Sequence, residues 1–146
     1  MEIDVAALTI SSVIASFRAG EYSSLALTEA CLRQIERLNP TINAFITPTI
    51  ELAYQAALQA DALRSNQPSN LNDLVLLGVP VALKDMFETI GILTTAGSRF
   101  YAENIPVQDA QAVTKLKLTG AVILGKTNLS EWANMRSGRS SSGWRN

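Results

Sequence analysis

Apolar positions in the first half of the chain recur with a helical period. Ile10, Val13, Ile14 and Phe17 stand at i, i+3, i+4 and i+7, one face of a helix. Thr9 can cap its start and Gly20 can close its end in the left-handed conformation. A second stripe, Leu27, Cys31, Ile35 and Leu38, predicts a helix capped by Ser24 and stopped at Asn39-Pro40. Asn43 to Thr47 reads as a short extended segment. Thr49 opens a third helix to about Arg64, with Leu52, Ala56, Ala60 and Leu63 inward. Ser65 to Asp73, with Pro68, is a polar loop.

The pattern changes at Leu74. Val79-Pro80-Val81-Ala82-Leu83-Lys84 reads as a buried strand, in which Pro80 suits the first residue or an edge. Met86 to Val107 is long and rich in Gly and Thr, which is unusual for a mere connector. Asp109 caps a helix carrying Ala112, Val113 and Leu116 that ends at Gly120. Ala121-Val122-Ile123-Leu124 is a continuous apolar run, the mark of a strand covered on both faces. Asn128, with Glu131 three residues on, resembles a capping box opening one more helix. Strand, helical crossover and strand make a βαβ unit, which predicts parallel strands and a right-handed crossover. The predicted fold class is α/β, an N-terminal helical layer (1–73) followed by a βαβ unit that starts a sheet core (74–146).

Composition narrows the chemistry. The chain has 146 residues and a formal net charge of -1, and 47% of its residues are hydrophobic. That supports a single domain or part of one, and argues against intrinsic disorder and bulk nucleic-acid affinity. Charge is uneven: residues 1–73 carry 4 basic and 8 acidic groups, residues 74–146 carry 8 and 5. There is no His, which excludes Ser-His-Asp and Cys-His catalysis, His-ligated zinc and His pH switches within this chain. A lone Cys31 on a helix stripe reads as a buried structural thiol. No basic signal region precedes an apolar run, and no apolar run approaches the about 20 residues of a membrane helix. The expectation is a cytoplasmic setting, with no membrane and no nucleic acid.

Several motifs compete for a functional reading. Gly120 to Thr127 satisfies G-x-x-x-x-G-K-S/T letter for letter. A phosphate loop needs a flexible turn between a strand and a helix, whereas here the middle residues are themselves strand-like, so the match is rejected. Asn128-Leu129-Ser130 fits the glycosylation sequon but lacks a secretory context. Arg136, Arg139 and Arg145 lie among Ser137, Ser140, Ser141 and Ser142, a basic end that reads as a solvated loop or a connection to more protein. Lys84 stands out, because the carboxyl ends of strands in α/β sheets are where ligands sit. Desolvation lowers a lysine pKa and can make it a base. The alternative is a surface lysine paired with Asp85 or Glu88.

Leu77-Gly78-Val79-Pro80-Val81-Ala82-Leu83-Lys84-Asp85 resembles the G-[IV]-P-hydrophobic-x-x-K-D segment of the amidase signature family. Thr94-Thr95-Ala96-Gly97-Ser98, Asp109-Ala110 and Leu118 through Ala133 resemble its next stretches, in order and spacing. The N-terminal Leu8-Thr9 helix and the Leu38-Asn39-Pro40 and Asn43-Ala44-Phe45 turn also fit. Trp132, followed by Ser141-Ser142-Gly143-Trp144, looks most like the bacterial peptide-amidase-like branch, near the glutamyl-tRNA amidotransferase type.

The resemblance implies an α/β/α fold with a mixed central sheet, of which this chain is an incomplete N-terminal piece. It implies hydrolysis of carboxylic amide C–N bonds by a Ser–cis-Ser–Lys triad, without metal or organic cofactor. Lys84 is the lysine, the base that draws the proton away. Both serines and the oxyanion donors would lie beyond Asn146, so Ser140, Ser141 and Ser142 are not assigned to the triad. Asn128 and Ala133 border the substrate channel in this reading. The chain alone is expected to be inactive, with a small-molecule or peptide amide as the parent's substrate and the missing C-terminal portion as a partner. Strand edges at Val79–Leu83 and Ala121–Leu124 would lack partners and favour aggregation. Two alternatives are a non-catalytic interaction or structural protein derived from an amidase, and a nucleotide-binding module through Gly120–Thr127.

Overall fold

Helix α1 spans Ile10–Ala19 between the caps that its sequence predicts. Thr9 Oγ1 accepts from the Ser12 amide at 3.1 Å and Ser12 Oγ accepts from the Thr9 amide at 2.9 Å. Gly20 closes the helix at φ 70°. Val13 and Phe17 are buried, while Ile10 remains exposed. The computed structural model describes residues 3–66 and 73–133.

Helix α2 spans Ser24–Ile42. Its cap is Ser23, one residue before the predicted Ser24. Ser24 is buried instead, and its hydroxyl donates to the Gly78 carbonyl at 2.8 Å. Nor does the helix stop at Asn39-Pro40. It carries Pro40 in its last turn, where the missing amide costs a single hydrogen bond, and closes through the Asn43 amide on the Asn39 carbonyl at 2.8 Å. The Asn39 side chain then brackets Phe45, donating to its carbonyl and accepting from its amide, and so steers the chain into strand β1, Phe45–Pro48.

Helix α3 spans Ile50–Asn66. Its buried stripe is Ala53, Ala57 and Ala60: Ala60 faces inward as predicted, while Ala53 and Ala57 take the places predicted for Leu52 and Ala56. Leu52 and Leu63 are 57% and 41% exposed. Alanines let α3 approach α2 and the sheet closely, because their side chains demand no extra separation. The leucine stripe faces an open apolar groove of about 530 Å³ shared with Leu74, Leu77, Ile90 and Ile92. Asp61 of α3 accepts from the Ser24 and Leu25 amides at 2.8 and 3.0 Å. A carboxylate there satisfies orphan donors and the positive end of the α2 dipole.

Strand β2 spans Pro80–Lys84, helix α4 Gln111–Leu118 and strand β3 Val122–Thr127. The sheet order is β1-β3-β2, with β1 antiparallel and β2 parallel to β3. The predicted βαβ pairing is therefore present. The expected unpartnered edge at Ala121–Leu124 is not found: β3 is the central strand, because the Phe45–Pro48 segment pairs along its other side. Pro80 is the first residue of edge strand β2, where its missing amide disturbs the ladder least.

Asp109 does not cap α4. The N-cap is Ala110, without a side-chain bond, and Asp109 instead accepts from the Ile90 amide at 2.8 Å and pairs with Lys117 at 2.7 Å. Asn128 and Glu131 open no α-helix among the described residues. Asn128 Oδ1 accepts from Leu129, and Glu131–Ala133 is a short 3-10 turn. Residues 136–145 with their arginines and serines lie outside the described residues.

Two apolar clusters hold the layers together. Leu32, Ala53, Ala57, Val122 and Leu124 join α2 and α3 to β3. Val13, Phe17, Leu27 and Val79 join α1 and α2 to the entry of β2. Cys31 packs against both, and desolvation pushes its thiol pKa up, as befits a structural thiol.

Candidate active site

The carboxyl ends of β2 and β3 meet in one place because the two strands run parallel. Their register pairs Lys84 with Thr127. Lys84 is exposed, and no carboxylate among the described residues lies within ion-pairing distance of it. The expected alternative of a pair with Asp85 is thereby answered: Asp85 is fully buried and turned elsewhere.

Asp85 faces Lys126, whose Nζ stands 3.4 Å from Asp85 Oδ1 with both side chains at 0% exposure. Lys126 Nζ also donates to Thr94 Oγ1 at 2.5 Å and to the Phe87 carbonyl at 2.8 Å. Asp85 Oδ2 accepts from the Thr95 amide at 2.9 Å and from Thr95 Oγ1 at 2.5 Å. The Asp85 backbone is equally committed, its amide donating to the Thr127 carbonyl and its carbonyl accepting from Ala96. Desolvation pushes the Lys126 pKa down, against the opposing pull of Asp85. The further hydrogen bonds fall on Lys126 Nζ and on Asp85 Oδ2, while Asp85 Oδ1 has the Lys126 charge at 3.4 Å and no hydrogen bond of its own, so the pair is a costly one to break from either side.

The segment 94–98 is folded onto this pair. Ala96 and Gly97 both have positive φ, 51° and 65°. A side chain on Gly97 would stand 3.0 Å from the Leu129 carbonyl and 3.3 Å from the Glu131 amide, so only glycine permits this approach. The turn Glu131–Ala133 thus abuts the loop beside Lys84. Ala133 lies in this turn at φ 56°, its amide donating to the Ser130 carbonyl at 2.7 Å. Asn128 donates to the Asn43 carbonyl at 3.0 Å while its Oδ1 accepts from Leu129, so its amide ties the turn before β1 to the end of β3.

Gly120 to Thr127 is no phosphate loop. Val122–Thr127 is strand throughout, and Lys126 is committed to Asp85, Thr94 and Phe87. Sequence reasoning singles out Lys84 and passes over Lys126, Asp85, Thr94 and Thr95 as a unit. One signal is available: a lysine continuing an apolar strand must find a partner, because a buried charge is otherwise prohibitive. Among the described residues no cluster of three or more metal-ligating side chains occurs, and no helix is long and apolar enough to cross a membrane.

A mixed α/β sheet with an exposed lysine at the ends of its parallel strands defines the class: an α/β scaffold, in which ligands commonly sit at the carboxyl ends of the strands. The Amidase family model matches residues 26–144, and the chain belongs to that family. It is 45% identical over 126 residues to a glutamyl-tRNA(Gln) amidotransferase subunit of Hahella chejuensis, covering 86% of this chain and 25% of that protein. The corresponding protein of Geobacter metallireducens is 44% identical over 134 residues, covering 92% and 27%. The native peptide amidase of Stenotrophomonas maltophilia superposes with a TM-score of 0.82 at 36% identity, covering 94% of this chain and 28% of that one. The chain thus spans about a quarter of the length of these relatives.

Proposed function

We propose that this chain is the N-terminal part of a single amidase domain and supplies the base of its amide-hydrolysing site. The observation that carries this reading is the position of Lys84, unpaired and accessible at the end of β2 beside Thr127. In the proposed reaction a serine outside this chain attacks the amide carbonyl. Its proton passes through a second serine, held in a cis peptide, to neutral Lys84 Nζ. Lys84 returns that proton to the departing amine or ammonia as the C–N bond breaks, and water then releases the acyl group from the serine. Asn128 and Ala133 would flank the substrate channel.

Lys84 is open to water in this chain. One base without its nucleophile cannot run acyl transfer, so the chain alone should be inactive.

The test is reconstitution. This chain is mixed with the separately produced remainder of a related amidase, and ammonia release from a peptide amide is followed. The reading expects activity that needs both pieces. A folded mixture without activity would overturn it and favour a binding role.

A further inference from the structure

We propose that Asp85 and Lys126 are positioning residues for this reaction: their buried pair clamps residues 94–98 onto the ends of β2 and β3 and thereby fixes the backbone from which Lys84 projects. The proposal rests on Lys84 being the base. It goes further by assigning a role to a charge pair that the proton-transfer steps do not use.

The geometry argues for a clamp. Lys84 and Asp85 are adjacent, as are Lys126 and Thr127, and the two strands place Lys84 beside Thr127. Every displacement of Asp85 is therefore a displacement of the Lys84 main chain. Asp85 holds the loop by two contacts to Thr95 and one backbone bond from Ala96. Lys126 holds it by Thr94, and holds the turn after β2 by the Phe87 carbonyl. Thr94 is itself tied to Asn104 through its amide at 2.9 Å and its carbonyl at 3.0 Å, which carries the restraint further along the crossover. A hydrophobic pair would fill the same space without directing any of these donors and acceptors. The pair's distinctive contribution is orientation, and proton transfer is steep in geometry.

Thr95 offers the discriminating variants. It is fully buried, and its hydroxyl both donates to Asp85 Oδ2 and accepts from the Gly97 amide at 3.2 Å. Thr95→Ser keeps the hydroxyl and loses the methyl, whereas Thr95→Val keeps the bulk and loses the hydroxyl. If the contact only stabilised the fold by packing, Thr95→Ser would be the more damaging change. If it positions the loop, Thr95→Val would be.

Amide hydrogen exchange is measured on this chain, and kcat and KM on the reconstituted enzyme, for Thr95→Val, Thr95→Ser and the double variant Asp85→Asn with Lys126→Met. The clamp predicts that Thr95→Val and the double variant speed exchange at Thr95, Ala96 and Gly97 by about tenfold or more, with helix α2 unchanged. It predicts that both lower kcat by about tenfold or more with KM unchanged, and that Thr95→Ser stays near the parent in both readouts. Unchanged exchange and kcat in Thr95→Val, or greater damage from Thr95→Ser, would overturn it. If the double variant does not fold, the two Thr95 variants decide alone. Lys84→Ala is the control. If it leaves the reconstituted enzyme active, the base assignment fails. If it abolishes activity while the Thr95 and double variants do nothing, the base stands and the clamp falls.

Discussion

Lys126 reaches Asp85 at 3.4 Å with both side chains wholly out of water, and Asp85 is the residue that follows Lys84. A buried pair of this kind is costly to break from one side. Lys126→Met would leave the Asp85 carboxylate without its cation, so unfolding by urea should show a loss of about 3–5 kcal/mol. Adding Asp85→Asn removes the stranded charge, and the double variant should recover much of that loss. Strictly additive effects would show that the two side chains do not act as a pair.

Gly125 lies where β1 and β3 approach closely. A side chain there would meet the Thr47 carbonyl oxygen at 2.5 Å and Pro48 Cα at 2.8 Å, both backbone atoms that cannot step aside. Gly125→Ala should lower stability by about 1–3 kcal/mol or more. Gly20→Ala meets nothing within 4 Å and should bear only its left-handed backbone strain, about 1 kcal/mol. ATP with magnesium should leave the melting temperature of the parent chain unchanged. An upward shift would restore the phosphate-loop reading.

The two stripes of α3 make opposite predictions. Ala57 is fully buried between α2 and the sheet, so Ala57→Leu should overpack it and cost about 1–3 kcal/mol. Leu63 faces the open groove at 41% exposure, so Leu63→Gln should alter stability by less than about 0.5 kcal/mol. Equal losses would mean that the leucine stripe is covered in solution.

Asp109 carries the pH dependence that is simplest to assign. Burial pushes its pKa up, but the hydrogen bond from Lys117, the Ile90 amide and the Lys117 charge together bring it below the ordinary carboxylate value. The folded state therefore releases this proton more readily than the unfolded state. Its contribution is fully present above the ordinary value of about 4 and is lost as pH falls through the lower folded value. Asp109→Asn should flatten the acid limb of the stability profile in that window. An unchanged limb would remove Asp109 from the account.

Local chemistry makes much of the fold legible. The Thr9 and Gly20 caps, the extended segment before Thr49, Pro80 at a strand start and the parallel βαβ pairing all follow from side-chain pattern. The misplacements have tertiary causes. Ser23 caps α2 because Ser24 is drawn to the Gly78 carbonyl, more than fifty residues away in sequence. Asp109 abandons its cap for Ile90 and Lys117. In the first turns of α3 the buried positions are Ala53 and Ala57 in place of Leu52 and Ala56, because a close helix–sheet contact selects alanine over leucine, while Ala60 is inward as predicted. In the site, Lys84 is visible as a strand-end lysine. The Asp85–Lys126–Thr94–Thr95 unit is not, since only the β2–β3 register and the fold of the crossover bring those residues together.

The most direct test of the central claim is ammonia release by the reconstituted enzyme with Lys84→Ala in place of the parent chain. Lys84 is exposed and unpaired among the described residues, so its loss should change unfolding by less than about 0.5 kcal/mol. The account predicts a stable variant whose reconstituted rate falls by about a hundredfold or more. A stable variant that reconstitutes full activity would contradict it.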